Sequence, residues 1–271
     1  MRAAIAEAWD LDEWPVEAVA CNLCGGTATT PIADHDRYGL PVTVVQCRSC
    51  ELRYLNPRMT AAGYAAFYAH GYRPLFEAHR GAPLTTAELE TDQRIYGGSL
   101  AHIVASRLPA VRSVLDVGGS TGIVGRAFRA RWGCDVTVVD PSAVELARAE
   151  GCQQIHASAE AVETFPAVDL ALLCRTVDHL LDPMGVLTRL ARTSARLIVD
   201  AMHVEGWPAS ARYKIDHPYA FTAETFAAMV TASGWDIVQT WWRGGTRYVG
   251  HLCRPKEGTH VEGLEGENRS V

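Results

Sequence analysis

The chain reads as an α/β protein with a Rossmann-like, mostly parallel sheet and a small cysteine-bearing module in front of it. Three observations predict this. From Ser113 onward, apolar runs of strand length alternate with amphipathic helical stretches, which is the pattern of βα units. The first of those runs ends in a glycine-rich turn, Asp116-Val117-Gly118-Gly119-Ser120-Thr121-Gly122. About sixty residues ahead of it stand two cysteine pairs at CxxC spacing, Cys21 with Cys24 and Cys47 with Cys50.

The elements follow in order. Residues 1–19 form a polar, Trp-containing arm, and residues 20 to 58 are rich in Gly, Pro, Thr and Cys with short β-prone pieces such as 42–46, a ribbon of hairpins. From Thr60 the pattern turns helical, with Tyr64, Phe67, Tyr68 and Tyr72 on one face. That stripe suits packing against the core, with a lid over a pocket as the second use. Another helix, 88–108, leads into the main domain. Strands are predicted at 113–118, 134–140, 154–158, 168–175 and 195–201, and helices at 122–132, 142–150, 183–193 and 222–233. Residues 235–242, a Gly244-Gly245 turn and residues 248–254 read as an antiparallel hairpin. The Gly- and Glu-rich tail is expected to be disordered. The division is therefore 1–58 arm and ribbon, 59–108 helical connector or lid, 109–255 main domain and 256–271 tail.

Composition limits the function. With 271 residues, 48% of them apolar, the chain can bury one substantial core plus a small module. The balance of 25 basic against 31 acidic residues disfavours long polyanionic partners. No stretch approaches the roughly 20 apolar residues of a membrane span. Residues 1–10 lack the apolar run of a signal peptide, so a cytoplasmic location with reduced thiols is expected. Cys134, Cys152, Cys174 and Cys253 sit singly in apolar stretches and read as small core hydrophobes.

The doubled CxxC points to metal. Each knuckle brings two thiolates to an ion at about 2.3 Å, and the second knuckle completes a tetrahedron with no open position. Zinc on Cys21, Cys24, Cys47 and Cys50 would thus be structural, stapling a segment too small to bury a core. Four unligated thiols are the plain alternative.

The glycine loop departs from the dinucleotide pattern GxGxxG in both registers, since Ser120 follows Gly118 and Thr121 follows Gly119 at the second glycine place. What remains is an acidic residue at a strand end, then GxxxG. Gly118 and Gly122 allow close backbone approach, and the next helix offers free N–H groups. Taken alone, the loop also suits a tight turn that packs a helix on a sheet, with Ser120 or Thr121 as its cap.

Asp116 through Gly122 resembles motif I of the class I S-adenosylmethionine (SAM) methyltransferases, and Asp140, eighteen residues after Gly122, matches the acidic residue ending strand two. The resemblance implies the seven-stranded methyltransferase sheet with its antiparallel C-terminal hairpin. It assigns donor binding to Asp116, Gly118, Gly119, Ser120, Thr121, Gly122, Asp140 with Pro141, and the adenine border Ser158 and Ala159. The segment from Val168 to Asp182-Pro183 resembles the fourth strand and its loop. CxxCG, a gap, CxxC and residues 52–57 are similar to zinc-ribbon methyltransferases of sugar and secondary-metabolite pathways, antibiotic biosynthesis among them, as is the phrase 217–222. Larger members carry a further C-terminal domain that does not match here, which leaves the acceptor open.

Methyl transfer to a hydroxyl needs a positioned base. Two histidines fall on loops expected at the carboxyl edge of the sheet, His217 and His179, and His217 is preferred because its long loop also carries Tyr213, Lys214, Asp216 and Tyr219. Their plain readings are a fixed turn for His217 and a helix-start residue for His179. Arg175, ending an apolar strand, suits an anionic group of substrate or donor, or a salt bridge to Asp178. The expected activity is methylation of a hydroxyl on a small polar metabolite, releasing S-adenosylhomocysteine (SAH). C- or N-methylation, an RNA base methyltransferase and a non-catalytic SAM-binding scaffold are the alternatives. Between Cys21 and Cys50, Arg37 and Arg48 are balanced by Asp34 and Asp36, which argues against RNA. The oligomeric state is left open.

Overall fold

The computed structural model describes residues 14–83, 85–108 and 110–259. The arm before residue 14 and the tail from residue 260 lie outside the described residues. The ribbon is built from β1 (Val16–Glu17), β2 (Thr29–His35), β3 (Pro41–Cys47), β4 (Arg53–Leu55) and β5 (Arg58–Met59). Strand β3 buries Val44, Val45 and Cys47.

The aromatic stripe that follows does not lie on one regular helix. It runs through α1 (Ala61–Ala66), a π-helical stretch Phe67–Gly71 and α2 (Tyr72–Arg80), and the wide turn re-aims successive side chains. Tyr64 and Phe67 are buried, while Tyr68 is 42% exposed. Helix α3 (Thr86–Val104) starts at a capping box in which Thr85 and Glu88 satisfy each other's backbone N–H.

The main sheet then forms from β6 (Ser113–Val117), α4 (Ile123–Trp132), β7 (Asp135–Asp140), α5 (Ala143–Leu146), β8 (Gln153–His156), β9 (Leu170–Leu173), α6 (Pro183–Ala191) and β10 (Leu197–Met202). After a long connection come β11 (Tyr219–Ala220), α7 (Ala223–Ala232), β12 (Trp235–Arg243) and β13 (Tyr248–Pro255). The seven-stranded order is β12-β13-β10-β9-β6-β7-β8, parallel except for β13, which runs antiparallel to both its neighbours β10 and β12. Buried strands β9 and β10 are apolar on both faces but for Asp200, as a sheet covered by helices requires.

The ribbon does not stand apart. Strand β11 pairs antiparallel with β4, joining β2–β4 into a four-stranded sheet with a piece of the main domain. Cys21, Cys47, Leu52 and Tyr54 share one core with Val117, Leu173, Phe221 and Phe226. Asn22 and Arg58 add long-range bonds to Asp182 and to the carbonyl of Leu181, at 2.9 and 2.8 Å. Cys134, Cys174 and Cys253 are buried, and no disulfide forms among the described residues. Nor, among them, is any helix long and apolar enough to cross a membrane.

Candidate functional site

The glycine loop leaves β6 at the carboxyl edge of the sheet, and it is held from two sides. Asp116, 2% exposed, accepts the N–H of Gly125 on α4 at 2.9 Å. Its carboxyl is pushed up to about 6, chiefly by burial. A Cβ on Gly119 would sit 2.6 Å from the Asp116 carboxyl carbon, and one on Gly118, at φ +70°, 2.5 Å from Thr176. Both glycines are therefore required by close approach. Asp116 braces the loop from beneath.

Asp140 ends β7 and holds the loop from the other side. Its two oxygens accept the N–H groups of Ser120 and Ser142 at 2.9 and 2.8 Å. Burial raises its carboxyl above the usual range. The cap reading of Ser120 and Thr121 is corrected: α4 begins at Gly122 in a left-handed turn with no side-chain cap. Ser120 Oγ donates to Glu145 and Thr121 Oγ1 to Gln93, at 3.2 and 3.5 Å. Ser158 and Ala159 follow β8, which is in register with β7 so that His156 pairs with Asp140; Pro141 offers its carbonyl to His156 Nε2 at 2.9 Å.

Helix α3, within the segment expected as connector or lid, lies along this edge. Residues 90–96 contact three loops and strand β10. Glu90 pairs with Arg148, Asp92 with Arg175 at 2.5 Å, Gln93 with Thr121, and Tyr96 donates to Asp200 at 2.7 Å. Arg175 thus pairs with Asp92 rather than Asp178, because its left-handed backbone, φ 54°, aims the side chain toward α3. The guanidinium lies 4.2 Å from the Tyr96 ring centre, and its backbone N–H donates to Asp200 at 2.6 Å.

The two histidines come together, with ring centres 4.3 Å apart. His179 lies in a 3-10 turn after β9 and is partly exposed. Its Nδ1 contacts the Asp216 carbonyl at 3.0 Å and the Tyr68 hydroxyl at 2.8 Å. A carbonyl only accepts, so the ring proton sits on Nδ1 and the lone pair on Nε2. His217 is 6% exposed. Lys214 Nζ donates to its Nε2 at 2.9 Å, which puts its proton on Nδ1, facing Asp178 at 3.2 Å. Burial first, then the charge of Lys214, holds His217 well below the ordinary histidine range. Asp178, Tyr68 and Asp200 were not among the predicted site residues, because their partners His217, His179 and Tyr96 are too far away in sequence for any local pattern to show, whereas Lys214 stands on the His217 loop itself.

The four predicted cysteines converge. Cys21 and Cys50 sulfurs lie 3.4 Å apart, those of Cys24 and Cys47 3.5 Å, and all four fall within 4.8 Å of one another. A zinc tetrathiolate with bonds of about 2.3 Å has edges of about 3.8 Å, so the residues present fit such an ion.

Comparison with known proteins agrees with this fold. No curated protein matches the chain significantly. Among solved structures, a candidate O-methyltransferase from Nostoc punctiforme PCC 73102 aligns at 19% identity and TM-score 0.51, over 60% of this chain and 56% of that one. The mitomycin 7-O-methyltransferase MmcR aligns at 18% identity and TM-score 0.53, over 71% and 60%. The chain thus spans less than two thirds of either protein. A family model described as a methyltransferase domain matches residues 93–240, more than half of the sequence. With the class I strand order and the Asp116–Gly122 loop in place, the chain belongs to the methyltransferase domain family.

Proposed function

We propose that the chain moves a methyl group from SAM to a hydroxyl of a small polar metabolite, a sugar or natural-product intermediate, with histidine as base. The O-methyltransferases of similar fold support the choice of a hydroxyl, and the histidine pair at the carboxyl edge carries it. SAM would supply a methyl group on a sulfonium, which leaves easily. The protein's part is alignment and removal of one proton.

Asp140 would take the ribose hydroxyls, the backbone of Gly118–Gly122 the amino-acid end, and Ser158 and Ala159 the border of the adenine. Arg175 lies beside them with Asp92 as its present partner. Of the two histidines, we assign the base to His179 rather than to His217. Its Nε2 carries a lone pair on a partly exposed ring, whereas His217 is buried, with its Nε2 taken by Lys214 and its Nδ1 turned toward the Asp178 carboxylate. His217 would support it, and Tyr68 would fix its ring. Zinc on Cys21, Cys24, Cys47 and Cys50 would be closed to substrate and purely structural. In this reading, residues 1–58, 59–108 and 109–255 serve as ribbon, cover and donor domain.

The test combines calorimetry with SAH and turnover, read as SAH release, over a panel of sugars, nucleotide sugars and phenols. His179→Gln is expected to keep SAH affinity and lose about 100-fold or more in turnover. Unchanged turnover removes His179 from the role, and absence of SAH binding removes the donor reading.

A further inference from the structure

The tip of the ribbon reaches the loop that carries His217. Asp36, 3% exposed, closes the turn between β2 and β3: its Oδ1 accepts the N–H of Tyr38 at 2.8 Å and of Leu40 at 2.9 Å. Its other oxygen faces elsewhere. Oδ2 accepts the N–H of Ile215 at 3.0 Å, across 179 residues of chain. Beside it, the Arg37 N–H donates to the Tyr213 carbonyl at 2.9 Å. Ile215 packs among Tyr38, Leu40, Tyr64 and Phe67, and the Tyr64 hydroxyl donates to its carbonyl at 3.1 Å.

A turn of this kind needs one acceptor, which asparagine or serine supplies without a charge. Burying a full carboxylate is costly, and Asp36 is held up at about 6 by that burial. The second oxygen is thus the feature that only aspartate provides here, and it is spent on Ile215. Ile215 lies between Lys214 and His217. The groups facing His217 are Lys214 Nζ at 2.9 Å, Asp178 Oδ2 at 3.2 Å, Asp216 Oδ2 at 3.6 Å and the His179 ring, with Arg37 acting at longer range.

We propose that Asp36 is a positioning residue of the acceptor site: by tying Ile215 to the ribbon tip, it sets Lys214 on His217 and His217 against Asp178 and His179. This rests on the reading of the acceptor site given above. It gives the ribbon a task in the reaction that does not require it to touch substrate.

Asp36→Asn separates the two duties of the carboxylate. One amide oxygen still serves Tyr38 and Leu40, while the NH2 group opposes the Ile215 N–H; Asp36→Ala removes all three bonds. The full-length protein is compared with and without SAH by amide hydrogen exchange and by NMR of 15N-labelled histidine. In Asp36→Asn, the Ile215 amide is expected to exchange at least about tenfold faster while the β9 amides hold their rate. His217, held well below the ordinary histidine range in the parent, should gain a titration near the ordinary value of about 6.5. SAH affinity should stay within about twofold, since donor binding lies on other loops.

Ile215 exchange and a His217 signal like those of the parent, with SAH still bound, overturn the proposal. So does an effect seen only in Asp36→Ala and shared by β9, which marks Asp36 as a turn residue alone. Failure of the parent itself to bind SAH strikes the donor reading instead, and is told apart by that measurement.

Discussion

The carboxylate of Asp140 and the backbone N–H of Ser120 lie 2.9 Å apart, joining the end of β7 to the middle of the glycine loop. The same carboxylate accepts from Ser142 at 2.8 Å. Both bonds are local to the donor edge, so removing them should harm binding before folding. Asp140→Ala is expected to weaken SAH by about 10- to 100-fold, from the roughly 1.5–3 kcal/mol of a charge-assisted hydrogen bond. Calorimetry with SAH checks this; an affinity equal to the parent's sinks the assignment of Asp140.

Asp116 gives a pH-dependent prediction. Its folded-state value of about 6 lies above the ordinary carboxyl value, so the native state holds the proton more tightly than the unfolded chain does. Stability from this group is therefore greatest at low pH and is lost as pH rises from about 4 to about 6. Asp36, also near 6, adds to the same trend. Asp116→Asn keeps an acceptor for the Gly125 N–H and has no charge to bury. It should be more stable than the parent by about 1 kcal/mol at pH 8, with a smaller gain at pH 5. Urea unfolding at the two pH values decides it, and a gain that grows on acidification refutes the argument.

Much of the architecture was legible because it rests on local pattern. Apolar runs gave β6, β7 and β9, and two CxxC knuckles gave a sulfur cluster that closes to within 4.8 Å. The unread parts are contacts between distant segments. Nothing in the periodicity of α3 tells that Asp92 meets Arg175 or Tyr96 meets Asp200. The fusion of ribbon and domain through β4 and β11 rests on a two-residue strand inside a loop, too short to carry an alternating pattern. Tyr68 was read as one of a stripe, and the π-helical stretch at 67–71 is what separates it from Phe67 and brings it to His179.

The sulfur cluster predicts metal dependence of the fold itself. Cys21 and Cys47 are buried in the core that also holds Tyr54 and Phe221, so unlinking them disturbs the main domain as well as the ribbon. The purified protein should contain about one zinc per chain, and its removal by chelation should lower Tm by about 10 °C, as expected for an ion bound far above its Kd. Cys24→Ser should lose zinc in the same assay. Metal analysis that finds no zinc, with a Tm indifferent to chelator, leaves four free thiols as the answer.

The two knuckles share one backbone turn but place different residues at its left-handed position. In each, the residue after the second cysteine is left-handed and its N–H donates to the first cysteine's carbonyl: Gly25, φ 73°, to Cys21 at 2.8 Å, and Glu51, φ 64°, to Cys47 at 3.0 Å. A Cβ at Gly25 would meet nothing within 4 Å, and Glu51 is exposed, so neither position is decided by packing. Only backbone strain separates them, about 1–2 kcal/mol for a residue with a side chain. Glu51→Gly should therefore stabilise by about 0.5–1 kcal/mol, the greater freedom of glycine in the unfolded chain taking back the rest. Gly25→Ala should destabilise by a similar amount, with zinc content unchanged in both. Urea midpoints measure the pair, and shifts of the same sign in the two variants would show that something other than the left-handed turn sets their energies.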